Sequence, residues 1–137
     1  MNIIDFGGRI PSRKHTGDAG ADVYILKTEM LFPHKTACIP LGIGTELPEG
    51  CVGFILPRSS MAARGVVAQA VPIDSNYRGE LHAIVTNTGD ETVILNAGDR
   101  IAQLVIFKCE MPDFAMIAPE DASVTDRGAC AFGSTGK

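Results

Sequence analysis

The sequence is built from short runs in which apolar and polar residues alternate, and turn-forming residues separate these runs. No window with the period of a helix reaches an ordinary helix length, so the pattern favours β-strands. Clusters rich in glycine, proline, asparagine and aspartate mark turns at 48–50, 76–79, 88–90 and 96–99. Many short strands in one small chain predict a sandwich, jelly roll or barrel, because these folds protect their sheet edges.

One segment, 60–64, has the composition of a short helix. Ser59 or Ser60 is its candidate N-cap, and Gly65 is its candidate terminator. Eight segments have the alternation of a strand. The predicted strands are 22–26, 37–43, 52–56, 66–70, 81–87, 92–95, 101–108 and 114–118.

Size and charge limit the classes of function. A chain of 137 residues is enough for one compact domain, and an apolar content of 45% with few aromatic residues favours an additional subunit interface. A net charge of −4 argues against a nucleic-acid polymer as partner, although a small anion can still bind to a local cluster of arginines. No basic leader and no membrane-spanning apolar run is present in the sequence, which predicts a cytoplasmic protein, in the host cytoplasm if a virus encodes it.

The cysteines and histidines have no spacing typical of a metal site. Four cysteines are scattered without a CxxC pair, and we expect them to be reduced thiols in the core. His15, His34 and His82 have no mutual spacing that suggests a site, and no role is assigned to them.

The C-terminal segment is rich in glycine and small hydroxyl residues. Arg127, Ser134 and Thr135, together with accessible main-chain N–H groups, suit a polyphosphate. Ser134 follows Gly133 where a P-loop has lysine, so the segment is not a fixed P-loop cradle. It is interpreted as a flap that closes over a bound triphosphate.

Asp74 follows an apolar strand end and precedes a turn that contains Tyr77. An aspartate there can accept a proton from water while the tyrosine offers a flat face to a ring. Asp74 can also simply begin the turn. Both interpretations stay open from the local pattern alone.

Three further polar groups interrupt or border predicted strands. Arg58 and Ser59 precede the short helix, where an anion can bind, although a capped turn has the same composition. Asp22, beside tight glycine turns, can orient water on Mg²⁺ or can merely begin a strand. Gln103 interrupts the apolar run IAQLVIF, so it either faces solvent or binds something.

Five blocks, GDAGADV, PRSS, IDSNYRG, AGDRIAQL and RGACAFGSTG, occur in this order between about residues 15 and 136. In order and spacing they resemble the five motifs of the dUTPase family. The resemblance implies a distorted jelly-roll β-barrel with one short helix that assembles as a homotrimer with shared active sites. It also implies hydrolysis of dUTP to dUMP and pyrophosphate with Mg²⁺, a barrel over residues 1–126, and a flexible phosphate-binding tail over 127–137.

The resemblance assigns each candidate residue a role. Asp74 would be the general base that activates the attacking water, and Asp22 would hold Mg²⁺ through water. The remaining roles concern contacts with the substrate. Phosphate contacts would come from Arg58, Ser59, Ser60, Gln103, Arg127, Ser134 and Thr135, and base or sugar contacts from Ala70, Val71, Ile73, Tyr77 and Phe132.

Two positions depart from the family pattern. Val71 and then Pro72 stand where a glycine is usual before the catalytic aspartate, and Cys130 and Ala131 replace a usual pair of glycines. Pro72 removes one main-chain donor from the hairpin expected to read uracil. The alternatives are a related enzyme similar to dCTP deaminase and a regulatory binding protein on the same scaffold.

Overall fold

The computed structural model describes residues 1–129 of the chain, and it confirms the all-β prediction. These residues form eleven strands, one four-residue α-helix and one 3₁₀ turn, Pro119–Asp121. The strands are β1 (Asn2–Asp5), β2 (Ala21–Tyr24), β3 (Glu29–Leu31), β4 (Thr36–Pro40), β5 (Ile43–Glu46), β6 (Cys51–Pro57), β7 (Val66–Ala68), β8 (Pro72–Ile73), β9 (His82–Asn87), β10 (Val93–Leu95) and β11 (Arg100–Lys108), and the helix is α1 (Ser59–Ala62).

All strand pairs of the described residues are antiparallel, and the strands form two larger sheets and two ribbons. The larger sheets have the orders β2-β11-β6-β8 and β4-β9-β7, and the ribbons are β1-β5 and β3-β10. The inward side chains of these sheets pack into an apolar core that includes Val23, Ile25, Leu41 and Val85. Burial of this surface is the main favourable contribution to folding.

Strand β11 lies at the centre of the four-stranded sheet and contains a bulge. Gln103 pairs with Asp22 of β2, but the register shifts between Arg100 and Ala102. Ile101 and Ala102 are consecutive and both buried, which regular alternation does not allow. The extra residue therefore turns Arg100 to the face of the sheet that carries Asp22 and Gln103.

Strand β6 connects the two regions that carry the predicted site residues. Its last residue, Pro57, leads directly into Arg58 and α1, while β8 pairs with the other part of β6. In that pairing Ile73 lies opposite Gly53, which brings Asp74 beside the start of β6. Arg58 and Asp74 therefore lie towards opposite ends of one strand.

Several local predictions were wrong. Residues 114–118 form no strand, and Phe114 and Met116 are fully exposed, because no edge of the described chain pairs with them. Helix α1 begins at Ser59, and its N-cap is Arg58 without a side-chain capping bond, so neither Ser59 nor Ser60 is the cap. The short strands β1, β3, β5 and β8 were not predicted as separate elements.

The cysteine prediction also needs correction. Cys38 is exposed, and Cys51 and Cys109 are half-buried, so these thiols do not belong to the core. All three are free thiols. Cys130 lies outside the described residues.

No helix within residues 1–129 combines the length and the apolar character that a membrane span requires.

Candidate active site

A polar cavity of about 310 Å³ opens where β2, β11 and the start of α1 meet. Residues up to about ninety positions apart in the sequence lie together here, because β11 pairs with both β2 and β6. Its lining combines cations, carboxylates and hydroxyls. The residues are Ser12, Lys14, His15, Asp18, Ala19, Gly20, Asp22, Arg58, Ser59, Ser60, Arg100 and Gln103.

Asp22 organises the two arginines of this polar cavity. Its Oδ1 is 2.8 Å from Nε of Arg58, and its Oδ2 is 3.1 Å from Nη1 of Arg100. Nη1 of Arg58 also donates to the carbonyl oxygen of Arg100 at 3.1 Å. The Asp22 side chain is only 16% exposed, so this network is better shielded from water than an ordinary surface ion pair. Both guanidinium groups are thus held in fixed positions.

Gln103 binds the protein instead of facing solvent. Its Nε2 donates to the carbonyl oxygen of Pro57 at 3.1 Å, and its side chain lines the polar cavity. Gly20 permits this arrangement, because a Cβ at that position would overlap the Gln103 carboxamide. The local sequence left two interpretations open for Gln103, and the structure places its half-buried amide in the cavity wall with a partner in the protein itself.

A second cavity, of about 240 Å³, lies between the segment 69–77 and the outer face of β9. We call it the hairpin cavity. It has a higher share of apolar residues than the polar cavity. It is lined by Ile55, Gln69, Val71, Pro72, Ile73, Asp74, Tyr77, Glu80, Leu81, His82 and Ile84.

Hydrogen bonds to main-chain carbonyl oxygens fix the wall of the hairpin cavity. The Tyr77 N–H donates to the carbonyl oxygen of Asp74 at 3.1 Å, which closes the turn, and the Tyr77 hydroxyl donates to the carbonyl oxygen of Glu80, also at 3.1 Å. The ring folds over Gly79, where a Cβ would collide with it. Arg78 donates to the carbonyl oxygens of Ser75 and Tyr77 at 2.7 and 2.9 Å and braces the same turn.

Asp74 is exposed and lines the hairpin cavity together with Val71, Ile73 and Tyr77. It does not line the polar cavity. Within one chain Asp74 lies beside the start of β6 and Arg58 follows its end, about 20 Å apart at ~3.3 Å per residue. One chain therefore presents the predicted base and the predicted phosphate ligands at separate places.

The predicted residues fall into two cavity groups and a remainder. Asp22, Arg58, Ser59, Ser60 and Gln103 meet in the polar cavity, whereas Val71, Ile73, Asp74 and Tyr77 meet in the hairpin cavity. Ala70 is exposed and does not line the hairpin cavity. Arg127 is described and exposed, in a turn over 126–129. The predicted tail residues Phe132, Ser134 and Thr135 lie outside the described residues.

Sequence reasoning missed several lining residues, including these four with polar side chains. Arg100 and Asp18 line the polar cavity, and Gln69 and His82 line the hairpin cavity. Arg100 lies inside the block AGDRIAQL, three residues before Gln103, so a search of that block for charged side chains would have found it. Gln69 carried a weaker signal, an amide in the apolar run VVAQAV.

The described residues contain no group of three or more His, Cys, Asp or Glu side chains placed to hold a metal ion. The carboxylates available to the polar cavity are those of Asp22 and Asp18. Asp18 is engaged by His15, whose main-chain N–H donates to it at 2.8 Å. Each Asp22 oxygen accepts one guanidinium bond and retains a further lone pair. This donor set fits a hydrated Mg²⁺ held through water, because Mg²⁺ keeps several waters and relies on substrate phosphates.

The fold and the two cavities define a class, namely a small all-β barrel with an arginine-rich pocket and a tyrosine-walled pocket for a small molecule. The family model described as dUTPase matches residues 7–136. A deoxyuridine 5'-triphosphate nucleotidohydrolase from Mycolicibacterium gilvum is 38% identical over 134 residues, which cover 93% of this chain and 87% of that protein. The chain therefore belongs to the dUTPase family.

Solved structures agree with this assignment. A mutant of the Staphylococcus bacteriophage 80alpha dUTPase with dUpNHpp has 28% identity and a TM-score of 0.89, and the match covers 99% of this chain and 98% of that one. A mutant dUTPase from phage phi11 of S. aureus, in which a structural Mg(II) ion is coordinated, has 26% identity and a TM-score of 0.80 over 85% of this chain and 95% of that one. The fold is thus the jelly-roll barrel that the motifs implied.

Proposed function

We propose that the protein hydrolyses dUTP to dUMP and pyrophosphate by attack of water on the α-phosphorus. The observation that carries the proposal is the division of polar groups between the cavities. Fixed guanidinium groups and hydroxyls lie in one, and a carboxylate beside an aromatic wall lies in the other. These are the groups needed to hold a triphosphate and to direct a water molecule at its nucleoside end.

In this mechanism Asp74 accepts a proton from the attacking water. The oxygen of that water forms the new bond to the α-phosphorus, and the bond from the α-phosphorus to the bridging oxygen breaks and releases pyrophosphate. General bases of this kind contribute about 10² to 10⁴-fold to the rate. The exposure of Asp74 supports the role, because water reaches its carboxylate directly.

The polar cavity would bind the phosphate oxygens through Arg58, Ser59, Ser60 and Gln103. Ion pairing with Asp22 prevents the Arg58 side chain from searching many rotamers, so little further ordering is needed on binding. Residues 127–137 would act as a tail distinct from the barrel of residues 1–126, and Arg127, Ser134 and Thr135 would close over the outer phosphates.

Mg²⁺ fits this scheme as a partner of the triphosphate. Asp22 would hold the ion through water, and the bound ion would neutralise charge on the phosphate oxygens. Arg100 keeps the Asp22 carboxylate oriented towards the polar cavity.

The hairpin cavity would bind uracil and deoxyribose. The main chain at Val71 and Ile73 would face the base, Phe132 would stack on it, and Tyr77 would exclude a 2′-hydroxyl. Ala70 does not line the cavity, so its predicted contact with the base would need a base that extends past the lining residues. The fixed position of Tyr77 over Gly79 supports the last role, because a ring that cannot move leaves no space for the extra oxygen.

A homotrimer with shared active sites would bring the two cavities together. The separation of about 20 Å between Asp74 and Arg58 along β6, at ~3.3 Å per residue, is too large for one chain to hold the α-phosphorus at both. The arm after β11 supports association, because its side chains Phe114, Met116, Ile117 and Val124 are between 61% and 101% exposed. Apolar groups in such number favour contact with another chain. Sedimentation analysis should give a mass of three chains, and a monomer with full activity would contradict the shared site.

The experiment that tests the function is pyrophosphate release from dUTP, dTTP, dCTP and UTP at equal Mg²⁺. Hydrolysis in H₂¹⁸O should place the label in dUMP if the α-phosphorus is attacked. Label found in pyrophosphate would move the attack to the β-phosphorus and remove the assigned role of Asp74. Ammonia released from dCTP would favour the alternative enzyme similar to dCTP deaminase.

A further inference from the structure

The hairpin cavity contains a side-chain amide that could distinguish one pyrimidine from another. Gln69 follows β7 directly and lines the cavity together with Val71, Asp74 and Tyr77. Its main-chain N–H donates to the carbonyl oxygen of Ile84 at 2.8 Å, which fixes the Cα at the edge of the three-stranded sheet. The side chain is exposed and lies on the outer face of that sheet.

The other polar side chains of the hairpin cavity have fixed partners or other roles. The Tyr77 hydroxyl donates to the carbonyl oxygen of Glu80, and Oε1 of Glu80 accepts the main-chain N–H of Gly42 at 2.8 Å. Nδ1 of His82 lies 3.1 Å from the same Glu80 carbonyl oxygen. Pro72 contributes no N–H to the cavity. Gln69 alone among these lining groups offers a donor and an acceptor side by side.

One hydroxyl contacts this amide, and a second hydroxyl contacts the first. Nε2 of Gln69 donates to Oγ1 of Thr86 at 3.3 Å, and Oγ1 of Thr86 lies 2.8 Å from Oγ1 of Thr36. Nε2 carries two hydrogens. The one that points to Thr86 leaves the other beside Oε1, so that in this orientation the amide presents an acceptor and a donor side by side. The orientation is retained only if the Thr86 hydroxyl donates to Thr36 and accepts from Nε2, because a hydroxyl that donated to Oε1 would favour the flipped amide.

That orientation matters because uracil and cytosine present opposite patterns on the same edge. Uracil offers a donor at N3 and an acceptor at O4, whereas cytosine offers an acceptor at N3 and a donor at the 4-amino group. A freely rotating amide would pair with both bases. An amide held in one orientation pairs with only one, and the other base leaves two polar groups unpaired, which is strongly unfavourable in a pocket.

We propose that Gln69, oriented by Thr86, is a specificity-determining residue that reads the edge of the uracil ring and rejects cytosine. The proposal rests on the proposed dUTP hydrolysis and adds to it the side chain that selects the base. It assigns to Gln69 the donor that Pro72 removes from the neighbouring main chain.

The test compares kcat/KM for dUTP and dCTP in wild type, Gln69→Leu, Gln69→Glu and Thr86→Val. Leucine keeps approximately the size of the side chain and removes its polar groups. We expect Gln69→Leu to raise KM for dUTP about tenfold with kcat little changed, and to lower the dUTP to dCTP preference by a similar factor. Gln69→Glu, which has acceptors only, should lower the preference further, and Thr86→Val should lower it about threefold.

Ile94→Ala is the matched control, because Ile94 is an exposed residue of β10 outside both cavities. It should keep both KM and the preference, and all variants should keep the wild-type melting temperature. A wild-type protein without preference for dUTP would contradict the proposed function itself. A selective wild type whose preference survives in Gln69→Leu within twofold would overturn the role of Gln69 alone.

Discussion

The polar cavity and the hairpin cavity are built by different means. In the polar cavity, side chains fix one another, because Asp22 binds the guanidinium groups of both Arg58 and Arg100 across the sheet. In the hairpin cavity, bonds to main-chain carbonyl oxygens fix the wall, and the lining side chains Val71 and Tyr77 remain 49% and 45% exposed. The first site is a network of charges, and the second is a shaped loop.

This difference predicts two kinds of response to mutation. A network loses its geometry when any member is removed, so its substitutions should be strongly non-additive. A loop held by bonds to its main-chain carbonyl oxygens tolerates changes at side chains that make none of these bonds, which fits the presence of Val71 and Pro72 where the family pattern has glycine. Substitutions in the polar cavity should therefore strongly reduce phosphate binding and hydrolysis. Substitutions in the hairpin cavity should instead change which base is preferred.

Substitution of Asp74 should have the largest effect and tests where the two cavities meet. We expect Asp74→Asn to lower kcat by about 10² to 10⁴-fold while nucleotide binding is retained, because the amide cannot accept the proton. The measurement is single-turnover hydrolysis together with calorimetric binding of a non-hydrolysable analogue. Asp90→Asn is a suitable control, since Asp90 is exposed and pairs with His34 outside both cavities. Hydrolysis near the wild-type rate in Asp74→Asn would remove this residue as the base.

Removal of residues 127–137 should rank second and would show whether the polar cavity is sufficient by itself. Loss of several charge-assisted contacts, each worth roughly 1.5 to 3 kcal/mol, should reduce turnover by about 10² to 10³-fold and leave the melting temperature unchanged. Removal of Lys137 alone is the control, because no role is assigned to it. An unaffected rate in the longer truncation would mean that the polar cavity closes on the phosphates unaided.

The comparison also explains how far the sequence could be read. Alternation located most strands, and motif spacing found Asp22, Arg58 and Gln103, because the residue type is informative at each of these positions. Alternation could not show that Arg100 faces the polar cavity, since a bulge at Ile101 changes which face a side chain occupies without changing the composition. The local sequence pattern therefore predicts which residues line the polar cavity better than it predicts the ion pairs and hydrogen bonds among them.

The hairpin cavity was harder to predict for a different reason. Its shape depends on β8, a strand of two residues that exists only because β6 offers an edge. The expected strand over 114–118 failed for the converse reason, because no edge of the described chain pairs with it. Pairing is a property of the tertiary structure, so alternation alone cannot decide either case.

A double-mutant cycle on the polar cavity should have an intermediate effect and tests its network directly. Asp22→Asn and Arg58→Ala should each lower kcat/KM by about 10 to 100-fold, and the double variant should lose little more than either single variant. Steady-state kinetics of the four proteins give the coupling.

The matched cycle for this experiment combines Asp18→Asn with Arg58→Ala. Asp18 lines the same cavity but is engaged by His15, so these two effects should multiply. If Asp22 and Arg58 also gave multiplicative effects, the side chains would act independently and the contrast with the hairpin cavity would disappear.

The smallest expected effect is at Gly79, behind the wall of the hairpin cavity. A Cβ there would collide with the Tyr77 ring, so Gly79→Ala should displace the ring and lower the preference for dUTP over UTP by about tenfold. Hydrolysis of dUTP itself should fall less, because the polar cavity is untouched. Gly89→Ala adds a Cβ that meets only an ordinary contact at Asn87, 3.4 Å away, and should leave both rates unchanged. If Gly79→Ala kept the full preference, sugar selection would not depend on the position of Tyr77. The hairpin cavity would then select its substrate without a fixed tyrosine wall.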